Sequence, residues 1–119
     1  MIVRESREGR LVLKDYLNRE VTIAEEDYLN LIAASGRRGV VHCLDECLLE
    51  PTEVWWMVED INGVSYSYYK YFKIYRDLVF IAYVLHNKTM DFELNNFYGF
   101  DENNFHEAEK ERRGQLIRG

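Results

Sequence analysis

Pro51-Thr52-Glu53-Val54-Trp55-Trp56-Met57-Val58-Glu59-Asp60, then Ile61-Asn62-Gly63, then Val64-Ser65-Tyr66-Ser67-Tyr68-Tyr69-Lys70-Tyr71-Phe72-Lys73: this stretch decides the fold. Two runs rich in β-branched and aromatic residues flank an Asn-Gly. That dipeptide accepts positive φ at both central turn positions, so Asn62-Gly63 predicts a tight type I′ hairpin. The hairpin interleaves tyrosines with Lys70 and Lys73. Such a surface can serve as a core, a protein-binding groove or a nucleic-acid platform.

Working outward, Leu78–Leu85 is apolar at every position, which predicts a central strand covered on both faces. Arg76-Asp77 turns the chain into it, and His86-Asn87-Lys88-Thr89 turns it out into a fourth strand over Met90–Tyr98. Upstream, Thr22-Ile23-Ala24-Glu25 has the spacing of a capping box. It predicts a first helix with Tyr28, Leu31 and Ile32 on one face and Gly36 at its end. A second helix is expected from Arg38 to Leu49, stopped by the extended geometry that Pro51 imposes on Glu50. Asn103–Arg113 reads as a helical tail with Gly114 past its end. The expected fold is α+β: two N-terminal helices packed on one face of a four-stranded antiparallel meander, in the order one-two-three-four, with a short C-terminal helix. Residues 1–21 are expected as an N-terminal arm with a weak strand near Arg10–Leu13, and residues 22–117 as one domain.

The chain has 119 residues, which suits one core, and its 47% hydrophobic content fills such a core without metals or disulfides. No apolar run approaches the ~18 residues of a membrane span, and the charged N-terminus does not read as a secretory signal. Cys43 and Cys47, one helical turn apart, supply only two of the four ligands of a structural zinc. They read as reduced, buried core thiols in a cytoplasmic protein. Net charge is −6, but residues 64–88 carry 4 basic and 1 acidic side chains, against 7 and 13 in residues 1–63. The acidic total opposes non-specific binding of polyanions, while the sheet region is locally positive.

Leu48-Leu49-Glu50-Pro51-Thr52-Glu53-Val54-Trp55 at the helix-to-strand junction, Tyr68-Tyr69-Lys70 on the second strand, the apolar third strand and Arg112-Arg113-Gly114 near the end form one ordered set. In these the chain resembles the phage-associated barnase–EndoU–colicin–RelE-like nucleases, over about residues 20–117. Where members carry a histidine on the first helix, this chain reads Asp27-Tyr28-Leu29-Asn30. The resemblance implies an RNase-like domain of a phage or toxin system that needs no metal or cofactor. It also implies single-stranded RNA as the partner.

Such chemistry needs a base for the 2′-OH, a cation for the phosphorane and an acid for the leaving 5′-oxygen. Lys70, His86, Glu53 and Arg112 are the candidate catalytic residues, and Tyr66, Tyr68 and Lys73 the candidate substrate-binding ones. Lys70 shares a strand face with Tyr66 and Tyr68, because alternate residues do. Glu53 at a strand start is a base or an ion-pair partner of Lys70. His86, at a turn, is an acid or base, since imidazole exchanges protons near neutral pH. Each has a plainer reading: a solvated carboxylate, a turn histidine, and tyrosines and lysines covering a half-exposed sheet with their apolar stems. The aromatic face equally suits a non-catalytic module that holds a protein partner, such as a toxin, an immunity protein or a phage component.

Overall fold

The computed structural model describes residues 5–34 and 40–119. Among them run β1 (Glu5–Arg7), β2 (Arg10–Lys14), β3 (Glu20–Ala24), α1 (Glu25–Ala33), α2 (Cys43–Leu49), β4 (Glu53–Ile61), β5 (Val64–Ile74), β6 (Leu78–Asn87), β7 (Met90–Asp101), α3 (Phe105–Glu109) and β8 (Gln115–Arg118). Gly36, expected to end the first helix, and Arg38, the expected start of the second, lie outside the described residues.

The meander from β4 to β7 is antiparallel and in chain order, and the hairpin turns as its sequence demands: Asn62 and Gly63 have φ of 52° and 81°. The sheet is nevertheless larger than four strands. Its order is β1-β2-β3-β7-β6-β5-β4-β8, and β3 joins β7 in parallel through Val21 and Thr22 opposite Phe92 and Glu93. The expected four-stranded antiparallel sheet is thus the centre of an eight-stranded mixed one.

The difference has a local cause. Leu11, Leu13, Val21 and Ile23 recur at every second position of two short runs, and as paired strands they point this set into the core, where Leu13, Val21 and Ile23 are buried. Thr22 therefore belongs to β3 rather than to a capping box. Its Oγ1 accepts from Arg10 Nη2 at 3.2 Å, while α1 begins at Glu25 without a side-chain cap. Two-residue alternation that buries three large side chains outweighs a cap, at about 1.5–3 kcal/mol per buried side chain against about 1 kcal/mol. Strands of the same sheet consequently occupy the stretch expected as an arm.

The sheet buries both faces. On one, Tyr28 of α1 and Cys43, Leu44, Cys47 and Leu48 of α2 pack against Val54, Tyr71, Phe80, Ala82, Val84, Leu94 and Phe97. Cys43 and Cys47 are free thiols, and Cys47 Sγ donates to the Tyr71 carbonyl at 3.0 Å. On the other face, Ala108 and Phe105 of α3 pack on Phe72, Val79, Ile81 and Tyr83. The tail helix is shorter than its polar pattern implied. It yields at Lys110 to a turn, and β8 then runs antiparallel along β4.

Gly114 makes that turn possible: its φ is +98°, and a Cβ there would collide with the Trp56 carbonyl oxygen. Gly63 has a similar φ of +81° but open space around it. Gly114→Ala should therefore lower the urea midpoint clearly more than Gly63→Ala, by about 1–3 kcal/mol of stability for the former. Equal losses would show that β8 does not depend on this close approach.

Candidate functional site

Register divides the site residues between the two faces. On the α3 face, Trp55 lies opposite Lys70, Met57 opposite Tyr68 and Glu59 opposite Tyr66. Lys70 in turn lies opposite Tyr83 of β6. Glu53 joins this face at the start of β4, and the turn after α3 brings Glu111 and Arg112 over it.

Lys70 is 5% exposed. Its Nζ donates to the Glu111 carbonyl at 3.0 Å, lies 4.0 Å from Glu111 Oε1 and stands 5.8 Å from the Tyr68 ring centroid. Burial pulls its pKa below the ordinary lysine value, and the Glu111 carboxylate offsets part of that. The same carboxylate accepts from the Tyr83 hydroxyl at 2.9 Å. Tyr68 is pushed up to about 12, first by burial and then by the charges of Glu111 and Glu59, so its phenol stays protonated.

Beside it, Arg112 forks onto Glu53: Nε to Oε1 at 2.8 Å and Nη2 to Oε2 at 3.3 Å. Trp55 Nε1 also donates to Glu53 Oε1, at 2.9 Å. Arg112 reaches Glu109 through Nη1 and lies 5.5 Å over the Phe72 ring. Burial works against the Glu53 carboxylate, but the bonds from Arg112 and Trp55 and the charge of Arg112 outweigh it. Its pKa falls below the ordinary 4.5.

Glu53, Lys70, Arg112, Tyr66 and Tyr68 thus share one face. His86 and Lys73 lie on the other. His86 pairs with Ser67 and stacks on Phe92, with ring centroids 4.0 Å apart and planes 4° apart. Lys73 Nζ donates to the Glu50 carbonyl at 2.7 Å, at the C-terminal end of α2.

Three functional-looking groups have no counterpart in the sequence reading. Glu111 organises Lys70 and Tyr83. Arg19 lies over Phe92, Tyr69 and Tyr16 at 4.6, 5.3 and 5.9 Å from their centroids. Asp15, 1% exposed, accepts four hydrogen bonds: from Leu17 N, Arg19 N, Arg19 Nε and the Tyr71 hydroxyl, at 3.0, 2.9, 2.8 and 2.8 Å. The available signal was Asp15-Tyr16-Leu17-Asn18 between two short apolar runs, a pattern in which the aspartate holds its own turn. Among the described residues, no group of three or more His, Cys, Asp or Glu gathers to hold a metal ion, and no helix is long and apolar enough to cross a membrane.

The Glu53–Arg112 fork sets a pH dependence. A carboxylate with a lowered folded pKa contributes stability that is complete above its unfolded value and fades as pH falls through the folded one. Glu53→Gln should therefore cost about 1–2 kcal/mol at neutral pH, a gap that closes in urea melts taken well below the ordinary value of 4.5. A gap of constant size would assign the loss to packing instead.

No curated protein and no solved structure matches the chain. A family model does, across residues 3–117, which includes β1 to β7, all of β8 but its last residue, and the whole Glu53–Arg112 face. By that match the chain belongs to the phage-Barnase-EndoU-ColicinE5/D-RelE like nuclease2 family, PBECR2.

Proposed function

We propose that this domain cleaves single-stranded RNA without a metal ion, at the face that carries Glu53, Arg112, Lys70 and Tyr68. The observation that carries the reading is the Glu53–Arg112 fork, an ionised carboxylate beside a guanidinium on the same face as a buried ammonium. Membership of a nuclease-like family supports it.

The chemistry follows from the charges. Glu53 takes the 2′-OH proton, and the 2′-oxygen attacks the adjacent phosphorus. Arg112 exchanges Glu109 for the phosphate and meets the charge that builds on the phosphorane. The P–O5′ bond breaks, and the Tyr68 phenol gives its proton to the departing 5′-oxygen. The products are a 2′,3′-cyclic phosphate and a 5′-hydroxyl. Lys70 acts from beneath: held by the Glu111 carbonyl, its ammonium lies under the Tyr68 ring and fixes that ring on the face. Tyr66 extends the face as a surface on which a base can stack.

Purified protein should release cyclic-phosphate ends from single-stranded RNA in the presence of EDTA. Glu53→Gln and Arg112→Ala should each lower the rate by about 10²–10³-fold. Normal cleavage by both variants would remove this face from the chemistry, and loss of wild-type activity in EDTA would remove metal independence.

A second reading is favoured by the edge of the sheet. Leu116 and Ile117 of β8 are 46% and 42% exposed, and Val58 and Val64 of the neighbouring hairpin 55% and 45%. A non-catalytic module would bury that rim against a protein partner such as a toxin, an immunity protein or a phage component. It requires a wild type that cleaves no RNA and a complex that Leu116→Asp disrupts.

A further inference from the structure

On the opposite face, the half nearer the hairpin tips carries half-buried rings in register. Trp56 lies opposite Tyr69 on neighbouring strands, and His86 sits flat on Phe92. The β2–β3 turn adds Tyr16 and Arg19. The Arg19 guanidinium, fixed by Asp15, stands 4.6 Å over Phe92 and 5.9 Å over Tyr16, and Arg118 of β8 stands 4.9 Å over the same Tyr16. Cations and rings therefore form one contiguous line: Arg118, Tyr16, Arg19, Phe92, His86. The line runs into a groove of about 560 Å³ that His86 helps to line, with the Ser65 and Ser67 hydroxyls in its wall and Lys88 at its rim.

We infer that this line and groove form a second, non-cleaving platform for single-stranded RNA. A base presents a π-face that stacks on Trp, Tyr or His whatever its identity, while the Arg19 and Arg118 guanidiniums beside Tyr16 and Phe92 meet the phosphates between bases. Duplex RNA hides its bases and could not use the rings. In a chain of net charge −6, a nucleic acid must be caught by local cations such as these rather than by the overall field. The plainer account, arginines lying on rings to cover apolar surface, does not extend to the adjoining groove.

The platform deepens the proposed activity. β8 carries Arg118 on this face, six positions after Arg112 on the other, so one strand crossing that edge meets both. Its hold here raises its effective concentration at Glu53.

The test separates the two proposals. A labelled 2′-O-methyl oligouridine has no 2′-OH and cannot be cleaved, so its binding is measured by anisotropy whether or not the protein is a nuclease. His86→Ala and Arg118→Glu should each weaken binding about tenfold, within the range expected for one lost stacking or charge contact. Arg118→Glu is a surface change that leaves the core intact, and it should also flatten the salt dependence. Lys14→Glu, on the other face, should bind as wild type does. In single-turnover cleavage, His86→Ala should raise the enzyme concentration needed for half-saturation and leave the saturated rate unchanged. Wild-type binding that is absent, or unaltered by both substitutions, overturns the platform. A lower saturated rate in His86→Ala also overturns it, by placing His86 in the chemistry. Weakened binding in both variants of a protein that cleaves nothing would sustain the platform and defeat the nuclease reading.

Discussion

Asp15 is a carboxylate taken almost wholly out of water, and four donors meet it there. Two come from its own turn, one from the Arg19 side chain and one from Tyr71 on β5, 56 residues away. The Tyr71 phenol is pushed well above its ordinary value, by burial and then by the Asp15 charge, so it remains a donor. This one group closes the β2–β3 hairpin and ties it to the centre of the sheet. It also sets Arg19 over Tyr69 and Phe92. A buried charge with a full set of partners adds little net stability, whereas one stripped of a partner costs about 3–5 kcal/mol. Its worth is in arrangement: the N-terminal strands have one way to sit against the meander.

The meander was legible because its information is local. Asn62-Gly63 fixes a turn within two residues, and the alternation on either side tells each strand which way to face. Of the N-terminal strands, β2 was legible as a weak strand near Arg10–Leu13, but β3 was not, because Thr22-Ile23-Ala24-Glu25 satisfies a helix cap and a strand end equally well. The choice is made by Phe92, seventy residues later, to which β3 pairs in parallel. Parallel pairing leaves no turn signature in sequence. β8 was hidden for a like reason: it is four residues long, and its partner β4 lies far upstream.

The candidate site was readable one residue at a time and unreadable as a constellation. Glu53 and Arg112 were both visible as chemistry-bearing groups, but their pairing spans 59 positions. His86 shows the effect of register. The turn between Tyr75 and Leu78 sets Lys70 opposite Tyr83, so even-numbered residues of β5 share a face with odd-numbered residues of β6. His86 and Lys70 are both even-numbered and part company. Glu111 could not be singled out at all, because much of what it does is done by its backbone carbonyl.

The late position of Arg112 has a consequence for the order in which the domain comes into being. The β4–β7 hairpins are built from near neighbours and can close early, while β8 must return past β6 and β5 to reach β4. Arg112 emerges during synthesis after Glu53, Tyr68 and Lys70. A nascent chain therefore holds its carboxylate without the guanidinium that completes the pair. The Glu53–Arg112 pair is therefore among the last contacts of the domain to form, and the α3 face is complete only once the chain beyond α3 has docked on it.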